Sequence, residues 1–340
     1  MNFLNTFERA WSASFSDFVQ AGIEPTIAQE IVKKRSEIDL DKEMANIEKA
    51  EIRLVTIEDE EYPELLKEIY NPPFLLFVRG QINPADKYAV AIVGARRASE
   101  YGKQVTANLA MTLAQNNVTI VSGLALGIDS YAHQATLSVP NARTIAVLGC
   151  GIDDDSIYPS ENKGLAHKII EGRGAVISEF GPGMPPLKQH FPARNRIISG
   201  LSLGVVVVEA TLVSGSLITA RHALEQGRDV FAVPGNIYHK NAEGPNSLIK
   251  TGAKLVEKPE DILEELHLKQ VAEKMTVQRM LPETDEEQNI LKHLELEPIH
   301  VDKLVELVGV SVTDINSLLV MMEMKGIVRN LGGGNYIASK

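Results

Sequence analysis

The residues of this chain that could do chemistry fall in four short segments, and all four suit the holding of phosphate groups. The most distinctive is Pro185-Pro186-Leu187-Lys188-Gln189-His190-Phe191-Pro192-Ala193-Arg194-Asn195-Arg196. A ring in a proline-rich loop beside three cations combines a base-stacking platform with phosphate contacts. Such stacking is worth about 1–3 kcal/mol per base and tolerates any base. The competing reading makes Phe191 a loop anchor buried against neighbouring structure. Gly94-Ala95-Arg96-Arg97 follows an apolar run and precedes a helical stretch. A glycine there lets a ligand approach the backbone, and the next helix N-terminus offers free N–H groups to an anion; alternatively both arginines form salt bridges. Ser122-Gly123-Leu124-Ala125-Leu126-Gly127 repeats the theme, with glycine N–H and serine hydroxyl as phosphate donors. After it, Asp129 is expected as a helix N-cap and His133 as a packed helix residue. Ser214-Gly215-Ser216 is a third small, hydroxyl-bearing helix start. Several such turns on one edge suit several phosphates, as in a polymer. The dinucleotide fingerprint G-x-G-x-x-G and a Walker loop are both missing from these turns, so neither a dinucleotide cofactor nor ATP hydrolysis is indicated.

The elements that must position these segments are visible as apolar runs at 89–93, 119–121, 144–148, 175–177, 205–208 and 230–233, separated by helix-compatible stretches. Runs that are apolar without alternation mark strands buried on both faces of a parallel sheet. Each ends in small or polar residues, and open α/β sheets bind ligands at those carboxyl ends. The fold class expected is α/β: an extended Rossmann-like, doubly wound, mainly parallel sheet. An N-terminal small helical domain and a C-terminal winged-helix-like domain flank it.

Residues 1–60 read as short helices of a helix-hairpin or SAM-like unit, with apolar residues at helical spacing (Phe15, Phe18, Val19, Ile23; Ile27, Ile31, Val32). The central domain is expected at 61–265, a polar linker at 266–284, and a final unit at 285–340. In that unit, helices at 285–294, 301–308 and 314–325 and a hairpin at 327–337 form the winged-helix pattern. Its third helix carries Asp314 and Glu323 against one cation, Lys325, with Leu318, Leu319, Met321 and Met322 as mostly core and in part a partner surface. A helix entering the major groove needs more donors than that. A protein-interaction or regulatory module is the better reading.

Composition sets the outer bounds. The net charge of −11 opposes a nucleic-acid partner at first sight. The distribution reverses that, because residues 79–256 hold 17 Lys and Arg against 13 Asp and Glu. No acid lies between Glu179 and Glu209, while Lys188, Arg194 and Arg196 do. No stretch approaches the ~20 apolar residues of a membrane span, and the first residues lack a secretory-signal pattern. The single cysteine, Cys150, offers neither an intrachain disulfide nor a zinc cluster. A cytoplasmic protein without a metal or other cofactor is expected.

The segments GARRAS, SGLALGIDSYAH, ISEFGPG, HFPARNRIISGLS, SGSLITARHALEQGRDVFAVPGNI and LIKTGA, in this order, resemble the DNA-processing protein A family (DprA, also called Smf). The resemblance covers about 180 central residues. It implies a non-enzymatic, homodimeric protein of natural transformation that binds and protects incoming single-stranded DNA, works beside single-strand-binding protein and loads the RecA recombinase in homologous recombination. It also implies that Arg96 and Lys188 contact phosphates and that Phe191 stacks on a base. Arg194 and Asn195 complete the motif. Ala193 stands where the family can carry a cation. Gly94, Arg97, Ser122, Gly123, Ser214, Gly215 and Ser216 complete the expected strand-binding set. Leu212, Leu217 and Ile218 are dimer candidates that sequence cannot separate from core.

The runner-up is an enzyme. Glu209-Ala210 with Ser214-Gly215-Ser216 is reminiscent of nucleotide phosphoribohydrolases, whose P-G-G-x-G-T-x-x-E loop works on a ribose-phosphate bond. The paired-glycine form and the following glutamate are both absent here.

Overall fold

The structure, a computed structural model, describes residues 7–268, 284–294, 298–324 and 327–338. Most of the expected linker, Lys325, and the two chain ends lie outside these residues. The chain opens with four helices, α1 (Phe7–Ser12), α2 (Phe15–Gln20), α3 (Pro25–Arg35) and α4 (Leu40–Lys49). Ser14 and Asp17 form a reciprocal capping box at α2, and Pro25 starts α3, where its missing N–H costs nothing. Ala13, Phe18 and Ala28 make a small core of their own. Ile47 of α4 instead packs into the core of the sheet, with Leu124, Ala146 and Leu148.

The expectation of short helices over residues 1–60 fails at β1 (Arg53–Thr56), which is a strand. Its Val55 is fully buried, and it pairs antiparallel with β2 (Leu75–Gly80). Four residues carry too little periodicity to tell a strand from the end of a helical region. Between them lies the short helix α5 (Glu64–Lys67).

The remaining strands alternate with helices: β3 (Ala89–Val93), α6 (Glu100–Gln115), β4 (Thr119–Ser122), α7 (Ile128–Leu137), β5 (Thr144–Leu148), α8 (Lys163–Glu171) and β6 (Ala175–Ser178), then α9 (His190–Gly200), β7 (Gly204–Val207), α10 (Gly215–Glu225), β8 (Asp229–Ala232), α11 (Glu243–Lys250), β9 (Lys254–Leu255) and α12 (Pro259–Glu265). The sheet order is β1-β2-β6-β5-β4-β3-β7-β8-β9. From β6 to β9 every pairing is parallel, and β2 joins β6 antiparallel. The six apolar runs are all strands, buried along their length because helices cover both faces. β9, two exposed residues, was invisible to that pattern.

The topology fixes where a ligand can sit. After β3 the chain winds outward through β4, β5 and β6, then crosses back to lay β7 on the other side of β3. The loops after β3 and β7 therefore diverge and leave a crevice at the carboxyl edge, the switch point of a doubly wound sheet.

Residues 285–338 form a separate small core from α13 (Asp285–Leu294), β10 (Ile299–His300), α14 (Val301–Val308), α15 (Val312–Met324), β11 (Val328–Gly332) and β12 (Asn335–Ala338). The three strands are ordered β10-β12-β11, the wing of a winged helix. Gly309 ends α14 at φ +77°, a left-handed cap that suits glycine. Leu319 and Met322 are core, and Met321 is half exposed, on the surface side of the expected split.

Candidate nucleic-acid interface

The switch-point crevice is a groove of about 660 Å³ lined from the segments after five strands. Gly94 and Arg96 come from the loop after β3, Ala125 and Asp129 from that after β4, and Tyr158 from that after β5. Lys188, Phe191, Arg194 and Asn195 enter from the start of α9, and Ser214, Gly215 and Ser216 from the start of α10. The structure thus brings nine of the twelve expected residues into the lining of one groove; Arg97 follows Arg96 in the chain without lining it, and Ser122 and Gly123 lie behind the wall.

Phe191 was expected in a loop, and instead sits in the first turn of α9. Pro192 is tolerated there because the first helical N–H groups have no intrahelical acceptor. The ring is half buried. One face lies on Gly149, where a Cβ would come within 3.0 Å of the ring. Its edge meets Tyr158, with ring centroids 5.8 Å apart and planes at 52°. The Arg96 guanidinium carbon stands 5.8 Å from the ring centre. Phe191 is therefore both anchored and presented. Tyr158, half exposed in the same wall, was not singled out from sequence; an aromatic before a proline at a strand's carboxyl end was the available signal.

The cations divide sharply. Arg96, Arg97 and Lys188 are exposed. Arg196 is not a groove residue: it forms a bidentate pair with Glu179 at 2.6 and 2.8 Å and donates to the Asn71 carbonyl. Arg194 is only 5 % exposed, and its Nη1 donates to the Gly123 carbonyl at 2.9 Å. Burial lowers its pKa to about 10, and Asp129 pulls the other way. Asp129 is raised by burial against the attraction of Arg194. Each shift runs toward the neutral form, because burial outweighs the attraction between the two charges. A Cβ on Gly123 would meet Arg194 at 2.6 Å and Asp129 at 2.8 Å.

That packing revises two expectations. The Gly123 N–H donates to Asp129 at 3.1 Å, and the Ser122 hydroxyl to the Ile92 carbonyl at 2.6 Å. Neither offers a donor to the groove. Gly123 is small to admit two side chains, not to admit phosphate. Asp129 does not cap α7, whose N-cap is Gly127 at φ +80°; it closes the β4 loop through the N–H groups of Gly123 and Ala125. Gly127 is needed because a Cβ would lie 2.3 Å from the Ala95 carbonyl, so it lets the Arg96 loop pack down. His133 is fully buried against the Thr144 hydroxyl, as a packed helix residue should be.

The helix N-termini at this edge differ. α6 is capped by Ser99 and has Glu100 in its first turn, and α7 has Asp129. α9 and α10 have no side-chain cap and no acid in the first turn. Asn195 joins them by donating to the Gly215 carbonyl at 3.2 Å. Ser214 and Ser216 bond each other's hydroxyls at 2.8 Å, leaving first-turn N–H groups of α10 facing the groove. Glu209, the acid of the enzyme reading, accepts from the Ser99 N–H at 2.9 Å and from the Ser99 hydroxyl. It does not line this groove.

Residues 53–267 match the family model for DNA recombination-mediator protein A, and residues 278–334 match the DprA winged helix domain. The chain belongs to the DprA/Smf family. Protein Smf of Escherichia coli is 42 % identical over 85 % of this chain and 78 % of its own. The X-ray structure of DprA from Streptococcus pneumoniae superposes with a TM-score of 0.62 at 44 % identity, covering 71 % of this chain and 82 % of that one. DprA from Helicobacter pylori, whose structure is described by its single-stranded DNA binding mode, gives 0.56 at 32 % identity, covering 64 % and 97 %. The winged helix follows the sheet domain in this chain. Among its described residues no single helix is long and apolar enough to cross a membrane, and no cluster of His, Cys, Asp or Glu is arranged to hold a metal ion.

Proposed function

We propose that this DprA/Smf chain binds single-stranded DNA along the groove at the carboxyl edge of its sheet. In that reading it protects incoming strands in the cytoplasm during natural transformation and, as a homodimer working beside single-strand-binding protein, loads RecA onto them. The observation that carries the strand-binding step is the convergence of two uncapped helix N-termini with exposed Arg96 and Lys188 around a half-buried Phe191, with exposed Arg97 next in the chain to Arg96. Phosphates suit the helix ends and cations; an unpaired base suits the ring. A duplex keeps its bases stacked away from such a ring. Leu212, at 59 % exposure, and Ile218 remain dimer candidates, whereas Leu217 packs on the core. The winged helix is read as a protein-interaction module, with Val320 and Met321 exposed on α15.

The test is affinity for an oligonucleotide and for its duplex across a salt series. A clear preference for the single strand, with log K falling by about 0.7 per phosphate neutralised per log unit of salt, is expected. Equal affinity for duplex would refute the site. The phosphoribohydrolase reading has its own assay: release of free base from nucleoside monophosphates, abolished in Glu209→Gln, would replace this proposal with an enzyme. RecA loading is tested by RecA filament formation on strands already coated with single-strand-binding protein.

A further inference from the structure

A second cavity, of about 600 Å³, opens on the same carboxyl edge, between the ends of β7 and β8. Tyr101, Val208, Pro234 and Ala242 wall it with mainly apolar surface, and Glu209 forms its floor. Only the Arg96–Ser99 loop separates it from the groove, since Ser99 lines one and Arg96 the other. Asn241 ties the two together by donating to the Arg97 carbonyl at 3.1 Å.

The floor keeps one acceptor position open. Glu209 is 6 % exposed, and no cation pairs with it among the described residues. A carboxylate offers about four acceptor positions. The Ser99 N–H, the Ser99 hydroxyl and, at 3.5 Å, Asn241 Nδ2 occupy three of them. An unfilled acceptor on a buried anion is costly, so the site favours a ligand bringing an N–H donor. The apolar walls and the Tyr101 ring suit a flat, uncharged body. Phosphate is excluded by Glu209 and by Glu100 at the mouth, which Lys103 holds at 2.6 Å.

We propose that this cavity takes a nucleobase with an exocyclic amine, from the strand whose backbone lies across Arg96 and Arg97, with Glu209 accepting the amine. The inference rests on the strand-binding reading and deepens it. A strand held by its phosphates at the Arg96–Arg97 loop projects successive bases to either side, one toward Phe191 and one toward Tyr101. Cytosine offers its N4 amine to a carboxylate, while the same position of thymine is a carbonyl that a carboxylate repels. In the groove, Asp129 and Asn195 are held by bonds to Gly123, Ala125 and Gly215, and stacking on Phe191 does not make this distinction.

The experiment compares oligo-dC with oligo-dT of equal length by fluorescence anisotropy, on the full chain and on two variants. The unmodified chain should prefer oligo-dC by about tenfold. Glu209→Gln, which keeps the shape and adds a donor, should collapse that ratio toward one. Tyr101→Ala, in the half-exposed first turn of α6, should lower oligo-dC affinity to the oligo-dT level and serves where Glu209→Gln melts early. A wild-type ratio near one, or a ratio unmoved in both variants while both strands still bind, overturns the cavity assignment and leaves the groove standing. Failure of both strands to bind would instead remove the strand-binding reading, and the cavity's occupant with it.

Discussion

Arg96 and Arg194 line the same groove, yet the structure gives them opposite roles, and a salt series separates them. The Arg96 guanidinium is exposed, 5.8 Å over Phe191, and free to meet phosphate. With Lys188 in the lining and Arg97 next to Arg96 in the chain, it makes three exposed cations for one strand, so full use of them gives a log–log salt slope of about −2 for one binding site. Removing one contact flattens that slope by about 0.7. Across a tenfold rise in salt, the affinity advantage of the unmodified chain over Arg96→Ala should then shrink by about fivefold. Melting temperature should stay put, because no hydrogen bond of the Arg96 side chain is lost. Anisotropy with a labelled single strand at several salt concentrations, beside a thermal melt of each sample, measures both. An unchanged slope in Arg96→Ala would refute the phosphate contact, whatever the change in affinity at any one salt concentration. A flattened slope in Arg194→Ala at unchanged stability would refute the division of labour between the two arginines.

Three more outcomes follow from the same geometry. Arg194→Ala strips a buried carbonyl and the Asp129 carboxylate of their cation and should cost about 3 kcal/mol, lowering the melting temperature by roughly 6–12 °C; a shift under a few degrees would show the site relaxes. Phe191→Ala should weaken single-strand binding by about 1–3 kcal/mol with no change in salt slope, and Phe191→Leu, which keeps contact with Gly149, should recover fold stability but not affinity. Equal binding by all three chains would remove the stacking role. His133 has its pKa lowered to about 3 by burial, so its stabilising share is whole above the unfolded value of 6.5 and is lost as pH falls toward 3; between pH 7 and pH 5 that is about 2 kcal/mol. Denaturant unfolding at the two pH values should show the loss reduced in His133→Gln.

The His133 shift has a definite structural origin. The Thr144 hydroxyl spends its proton on the Ile120 carbonyl at 2.7 Å, so Nδ1 of His133 must be the donor in their 2.7 Å contact. Nε2 is then the bare nitrogen, and it is buried without a partner. Protonating it would place a new N–H in an apolar site.

The sheet was legible because its strands are buried on both faces and therefore apolar throughout; Ala89–Val93 and Thr144–Leu148 could hardly be anything else. Its edge strands were not, since β1 and β9 are short and partly exposed. At the groove, sequence located the segments but misread how they are used. Pro192 disguised the start of α9 as a loop. Three cations within nine residues, Lys188 to Arg196, looked alike, and only folding assigns one to solvent, one to Glu179 and one to the underside of Gly123. Ser122 and Gly123 looked like phosphate donors because the same residue types serve equally well for close packing. What settles such cases is the partner across the fold, which no local pattern carries.

A chain with net charge −11 can still hold a polyanion, because charges beyond about 8 Å are largely screened at physiological salt. The local inventory therefore decides. Asp129, the acid in the groove lining, is engaged by the N–H groups of Gly123 and Ala125, and two acids outside the lining are tied down as well, Glu209 by Ser99 and Glu179 by Arg196. The first two close the β4 loop and bind the capping residue of α6, so they steady the walls while meeting the demand of backbone donors. α9 and α10, without caps or first-turn acids, keep their partial positive ends unmatched where the exposed cations stand. The fold thus spends its acids on two helix–loop junctions and withholds them from the other two, which puts the positive field at the groove even though the chain as a whole is acidic.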